Sequence, residues 1–224
     1  MNHGIRAAIV GFATLLPALS EAQLTLTPPN APQWDAAVNV GWLGADTSDI
    51  GAEWNRWYDT ATFDAGAGRY LTPHVKVEFD VATGVKTSVL GFEPASIPES
   101  PYTYPRARPH TFHAMGVSGG LAYQFFESSW FHPFVGGGVA VIHETQRAER
   151  LPAEPRFVDV RRPPVLLPEL PPIDESTTVA RPFLTLGFKT YATERLFFRS
   201  DLRVTASSTG AESVAWRGGM GVDF

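Results

Sequence analysis

Val214-Ala215-Trp216-Arg217-Gly218-Gly219-Met220-Gly221-Val222-Asp223-Phe224 is the stretch that decides the fold class. Val214, Trp216, Met220, Val222 and Phe224 fall on one face at a period of two; Ala215, Arg217, Gly219, Gly221 and Asp223 fall on the other. This is a strand with one greasy face and one polar or small face. An aromatic last residue gains nothing from water, but it suits the interfacial girdle of a transmembrane barrel. The rest of the chain is therefore expected to supply more strands that meet lipid on one face.

The opposite end agrees. Met1 to Arg6 carries one Arg, and Ala7 to Leu19 is an apolar run with the length of a signal-peptide core. Ser20-Glu21-Ala22 sets small residues where signal peptidase reads, so cleavage is expected after Ala22, with 23–32 a periplasmic lead-in and 33–224 the barrel. The apolar run falls short of the roughly 20 residues that a membrane-spanning helix needs. The absence of Cys removes disulfides, thiolate catalysis and Cys-ligated zinc together. A net charge of -5, spread along the chain, leaves no nucleic-acid footprint. No later segment is apolar enough for a membrane helix, so a membrane protein built from this chain has to be a closed barrel.

Eight strands are expected. They run Gln33–Leu43, Tyr58–Tyr70, His74 to about Thr87, His110–Phe125, His132–Thr145, Val179–Tyr191, Leu196–Thr205 and the C-terminal stretch. The cleanest alternation sets Val75, Val77, Phe79 and Val81 against His74, Lys76, Glu78 and Asp80. On the second strand Phe63, Ala65 and Ala67 are read as outward and Asp64 as inward, which leaves Arg69 on the outer face. Long loops are expected at about 44–57, 88–109 (five prolines) and 146–178 (seven prolines between Pro152 and Pro172). Short turns lie at 71–73, 126–131 and 192–195, and a medium connection at 206–212. Tight turns at one end and long loops at the other, with both termini at the turn end, match the asymmetry of outer-membrane barrels.

Segments such as Trp130-Phe131-His132-Pro133-Phe134-Val135-Gly136-Gly137-Gly138 and Glu194-Arg195-Leu196-Phe197-Phe198-Arg199-Ser200-Asp201-Leu202-Arg203 resemble the turn-plus-strand segments of porin-like barrel families. From residue 33 to 224 the sequence resembles the small eight-stranded outer-membrane β-barrels, of which the OmpA membrane domain and OmpX are members. The long Pro-rich third loop departs from the better-known members. The resemblance implies an all-β, eight-stranded, antiparallel up-and-down transmembrane barrel in the outer membrane of a Gram-negative-type bacterium. It also implies a monomer in contact with membrane lipid and lipopolysaccharide. Arg217, Gly219, Val222 and Phe224 hold the places of the C-terminal signal read by the barrel assembly machinery.

The residues assigned to the inner face include Asp35, Asp64, Glu78, Asp80, Asp201 and Asp223, with Lys76, Lys189, Arg199, Arg203 and Arg217. An eight-stranded barrel has an interior just wide enough to be filled by side chains, and buried charges have to be paired. A self-satisfying charge network is therefore expected to plug the lumen, with a narrow solute path as the alternative. No catalytic residue, metal ligand or cofactor site is expected. His110 and His113 fall on opposite faces of a strand, His143-Glu144 lacks the zinc-protease spacing, and no His-x-Ser pair of the kind that lipopolysaccharide deacylases carry is present. The densest basic group, Arg147, Arg150, Arg156, Arg161 and Arg162, lies in the expected third loop. The reading is a structural or loop-mediated interaction protein of the cell envelope, with a narrow channel second and a lipid-modifying enzyme third.

Overall fold

The computed structural model describes residues 33–46, 57–96, 103–125, 130–157, 164–208 and 210–224. The expected signal peptide and lead-in, the centre of the first loop and the tip of the second turn lie outside them. The strands are β1 (Trp34–Asp46), β2 (Trp57–Tyr70), β3 (Val75–Gly84), β4 (Thr87–Ser96), β5 (Thr103–Gln124), β6 (Phe131–Ala148), β7 (Glu154–Arg156), β8 (Val165–Leu167), β9 (Ile173–Tyr191), β10 (Leu196–Ser207) and β11 (Gly210–Asp223). Antiparallel pairs run β3-β2-β1-β11-β10-β9-β6-β5, and β5 pairs back onto β3. β4 continues the line of β3 after a break at Val85–Lys86 and pairs with the first half of β5. Counting β3 and β4 as one wall strand gives a closed, eight-stranded, up-and-down transmembrane barrel.

The period-two pattern sets the facing. Val38, Val40, Phe63, Phe79, Leu121, Leu184, Leu186 and Met220 stand exposed on the outside, while Asn39, Asp64, Lys76 and Asp80 are buried inside. The second strand has the expected phase: Arg69 points outward, its guanidinium 5.3 Å from the Trp34 ring centroid. Closure needs β1 and β11 close together, which explains Gly219 sterically. It lies opposite Asn39, and a Cβ there would meet the Val38 carbonyl oxygen and come within 2.6 Å of the Asn39 Cα. Two turns at the end that carries the termini share one design. Thr72 Oγ1 accepts from the Val75 N–H at 2.9 Å, and Thr193 Oγ1 from the Leu196 N–H at 3.0 Å.

Two expected loops hold strands: the first is largely strand, the second in part. Of 88–109, residues 88–96 belong to β4 and 103–109 to β5; only 97–102 lie outside the described residues. Proline density was a misleading signal here. Pro94 lies opposite Pro105, and Pro109 opposite Leu90 at the same parity, so each occupies a ladder position that uses no N–H toward its partner. Of 146–178, β6 keeps residues up to Ala148, β9 begins at Ile173, and the interval holds the β7–β8 hairpin. The 206–212 connection is tighter than expected, with Ser207 paired to Gly210, a bulge at Thr205/Ala206, and Gly210 at φ 138°.

The barrel wall therefore continues past the belt of common pairing on one side only. All eight strands pair around a common belt, but β4, the first half of β5, the end of β6 and the start of β9 rise past it as an open four-stranded sheet. The β9–β10 ladder stops at Phe183–Thr205. Pro133 accepts from the Phe125 N–H, so it faces β5, and its β9 partner Phe188 accordingly faces β10. By the same parity the next residue due to donate to β10 is Pro182, which has no N–H. Beyond it the N–H groups of Ala180, Thr178, Ser176 and Asp174 point away from β6 along an edge with no strand partner among the described residues.

Candidate functional site

At the turn end of the lumen, Lys76 Nζ lies 2.6 Å from Asp35 and 2.6 Å from Glu78. Lys189 Nζ binds Asp35, donates to the Tyr70 hydroxyl at 2.9 Å and lies 3.6 Å from Asp223, which accepts from the Tyr191 hydroxyl. One layer up, Arg199 grips Glu78 with two nitrogens at 2.7 and 3.2 Å and reaches Asp201 at 2.8 Å. Arg217 meets the other Asp201 oxygen at 2.8 and 2.7 Å. Arg203 contacts Asp80 at 2.7 Å and Ser118 at 2.9 Å. Asp64 accepts from Asn39 at 2.5 Å and lies 3.6 Å from Arg217. The structure thus brings all eleven inward-assigned charges into one continuous column. Of the four signal positions, Arg217 is part of that column, Gly219 lies at the seam, and Val222 and Phe224 face out.

The aromatic side of the plug was missed from sequence, although strand parity placed it. Phe134 lies 4.6 Å from the Arg199 guanidinium, Phe183 4.1 Å from that of Arg203, and Phe197 3.9 Å from Lys189 Nζ. These faces hold the cations in an interior too narrow for bulk water and add cation–π attraction to the ion pairs. Phe134 and Asp201 both crowd the space beside Gly187, where a Cβ would come within 2.8 Å of the Phe134 ring.

No protein-family model matches the sequence, and no curated protein matches it. Among solved structures, the attachment invasion locus protein Ail of Yersinia pestis, in complex with the heparin analogue sucrose octasulfate, aligns over 86% of this chain and 99% of its own. Its TM-score is 0.50, at 9% identity. The N-terminal β-barrel domain of Pseudomonas aeruginosa OprF aligns over 87% of this chain and 100% of its own, with a TM-score of 0.49 at 12% identity. The chain has the fold of the small eight-stranded outer-membrane β-barrels. At such identities the likeness concerns the fold alone.

At the loop end this barrel carries a second polar assembly. Glu93 on β4 holds Arg108 through two contacts, 2.6 and 2.8 Å, and lies 3.1 Å from His110 Nε2. Arg108 also donates to the carbonyls of Glu149 and Pro171, and Arg106 to those of Pro168 and Pro152. Leu167 is fully buried beneath. The Pro-rich segment is therefore clamped onto the protruding sheet by two arginines that the sequence reading had not singled out. Of the basic group, Arg147 pairs with Asp174 at 2.9 Å and Arg150 with Glu169, both exposed; Arg156 is exposed, and 161–162 lie outside the described residues.

His110 stands above the belt, buried in that assembly. Burial pushes its imidazole down from the ordinary value; the neighbouring Arg108 adds to this and Glu93 opposes it. The neutral ring accepts from Gln146 at Nδ1, 3.0 Å away, while its Nε2 lies 3.1 Å from Glu93. A base held below its unfolded value stabilises the native state above about pH 6.5 and loses that contribution as pH falls through the folded value. Amide protection in 149–157 and 164–172 is accordingly expected to drop between pH 8 and pH 5 in wild type, and to be insensitive to pH in His110→Gln. Equal protection of wild type at both pH values would contradict this.

Proposed function

We propose that this chain is an outer-membrane protein of a Gram-negative-type bacterium, exported by a signal peptide cleaved near Ala22, that acts through its protruding sheet. The barrel is its monomeric anchor in lipid and lipopolysaccharide, inserted by an assembly machinery that reads Arg217, Gly219, Val222 and Phe224. The observation that carries the reading is the unpaired β9 edge from Asp174 to Ala180, held rigid by β6 on its other side. An open edge presents a row of main-chain donors and acceptors, the template on which an extended partner segment adds as a further strand. Ail was captured with an acidic sugar analogue. The corresponding basic reading has less support here, since Arg147 and Arg150 already have carboxylate partners. The charge column argues against a channel, and no catalytic role is proposed.

Thr178→Pro tests the edge, because its N–H faces away from β6 and its loss leaves the β6–β9 ladder intact. Wild-type barrel in nanodiscs is expected to retain a subset of extended nonapeptides on an array, and Thr178→Pro to retain none of them. Planar bilayers containing wild type are expected to show no stepwise conductance. Unchanged peptide retention by the variant would sink the edge reading, and regular conductance steps would favour the narrow channel.

A further inference from the structure

Two adjacent rows of outward side chains cross the wall from strand to strand, and a groove of about 890 Å³ lies between them. The upper row runs from Gly218 on β11 through Val40, Phe63, Thr83 and His143 to Thr178 on β9. The lower row starts at Met220 and passes Val38, Ala65, Val81, Val117 and Val141. Asn39 and Asp64 meet the groove only from beneath, because their side chains point into the lumen. The groove climbs as it crosses the wall. Gly218 stands five residues from the turn end of β11 at Asp223, whereas Thr178 stands thirteen from the turn end of β9 at Tyr191. The low end is apolar, and the high end carries hydroxyls and imidazoles.

At that high end Thr178 Oγ1 lies 2.9 Å from His143 Nδ1, and the other ring nitrogen, Nε2, has no partner among the described residues. His113 stands diagonal to His143 on the same face, opposite Thr145, with Thr83 Oγ1 3.5 Å from its Nε2. Diagonal neighbours on a sheet are about 7–8 Å apart, so one tetrahedral anion reaches both rings. Thr83, Thr145, Ser176 and Thr178 complete this outward band without a carboxylate, and Asp174 in the next row is held by Arg147. From this combination we infer that the wall holds one phosphate-bearing lipid, its phosphate on His113 and His143 and an acyl chain down the groove toward Gly218. Against surrounding lipid an apolar groove gains little by itself. Preference comes from the imidazole and hydroxyl donors, which an ionised phosphate accepts from strongly. Five strand spacings separate Gly218 from His143, about 24 Å, which is room for a fatty-acyl chain. The inference rests on the reading of the barrel as a lipid anchor and is independent of what docks at the sheet edge.

The test is native mass spectrometry of the folded barrel released from maltoside micelles that contain equal amounts of dimyristoyl phosphatidic acid and dimyristoylglycerol. Wild type is expected to retain one phosphatidic acid and no diacylglycerol, and millimolar inorganic phosphate to leave that retention unchanged. His113→Leu and His143→Leu together are expected to lower it by roughly tenfold or more, as loss of charge-assisted contacts requires. Ala65→Phe, which fills the groove between the rows, is expected to lower it with both histidines in place. Ala67→Phe, one row below on the same strand, is expected to leave it unchanged. Should the double histidine variant fail to fold, the two alanine variants decide. Equal retention of diacylglycerol, displacement by inorganic phosphate, or undiminished retention in the histidine or Ala65 variants would each overturn the inference. Wild type that folds into bilayers yet retains no phosphatidic acid would overturn it alone; wild type that does not enter bilayers would take the anchor reading with it.

Discussion

Asp201→Ala is expected to take about 3–5 kcal/mol from the folded barrel in a urea titration, the cost of removing one member of a buried, paired set. The Asp201 carboxylate is wholly buried, with Arg199 on one oxygen and Arg217 on the other at 2.7–2.8 Å. Deleting it leaves two guanidiniums facing each other across a space that water cannot fill freely. The large effect comes from this exposed repulsion and lost solvation, and is no measure of what the complete network contributes. Asp174→Ala is the control. Its partner Arg147 is 2.9 Å away, yet the two side chains are 72% and 66% exposed, so the loss is expected to stay within about 1 kcal/mol. Similar small losses at both sites would mean a wet lumen, and would favour a conducting channel over a plugged anchor.

Phe79→Arg is expected to cost about 2–4 kcal/mol, the range for a cation on the lipid face near the midplane. Phe79 is 55% exposed between Val77 and Val81 on the outer face of β3, and its cross-strand neighbours are only Ala67 and Gly119. Neither cross-strand neighbour on that face offers an acceptor to a guanidinium. The measurement is the folded fraction on a heat-modifiability gel against lipid-refolded wild type. Single cysteines extend it: positions 77 and 79 are expected to react with a lipid-phase label, positions 76 and 78 to be protected. The reverse labelling would mean the strand is inside out.

Strand parity made most of the barrel legible from sequence, because lipid outside and charge inside leave a residue little choice of side. It worked even where Arg69 seemed to contradict it, since the exception finds Trp34 at the rim. What failed was punctuation. Pro94, Pro105 and Pro109 read as loop, yet register puts them where no ladder N–H is asked for. Register is a pairing property of two distant segments, so one strand read alone does not disclose it. Pro182 acts in the opposite sense: it lies inside a continuous strand and ends one ladder without ending the strand. For the lumen, the eleven charges could be assigned to the inside, but not their partners. Arg106 and Arg108 were invisible because they sat in a segment taken for loop.

The seam between β1 and β11 joins the two ends of the described chain, with the Phe224 N–H on the Trp34 carbonyl and the Phe224 carbonyl accepting from Gln33 and Trp34. Every other wall pairing links segments that are near neighbours along the chain. Closing the seam therefore carries the greatest loop entropy of any pairing and can be rewarded only after the rest of the wall is in place. Until then both seam strands are bare edges, and the contacts that join the two halves of the charge column, Lys189 with Asp35, Arg199 with Glu78 and Arg203 with Asp80, are unmade. Assembly of this barrel should thus behave as a single late commitment, in which sealing the wall and neutralising the interior are the same event.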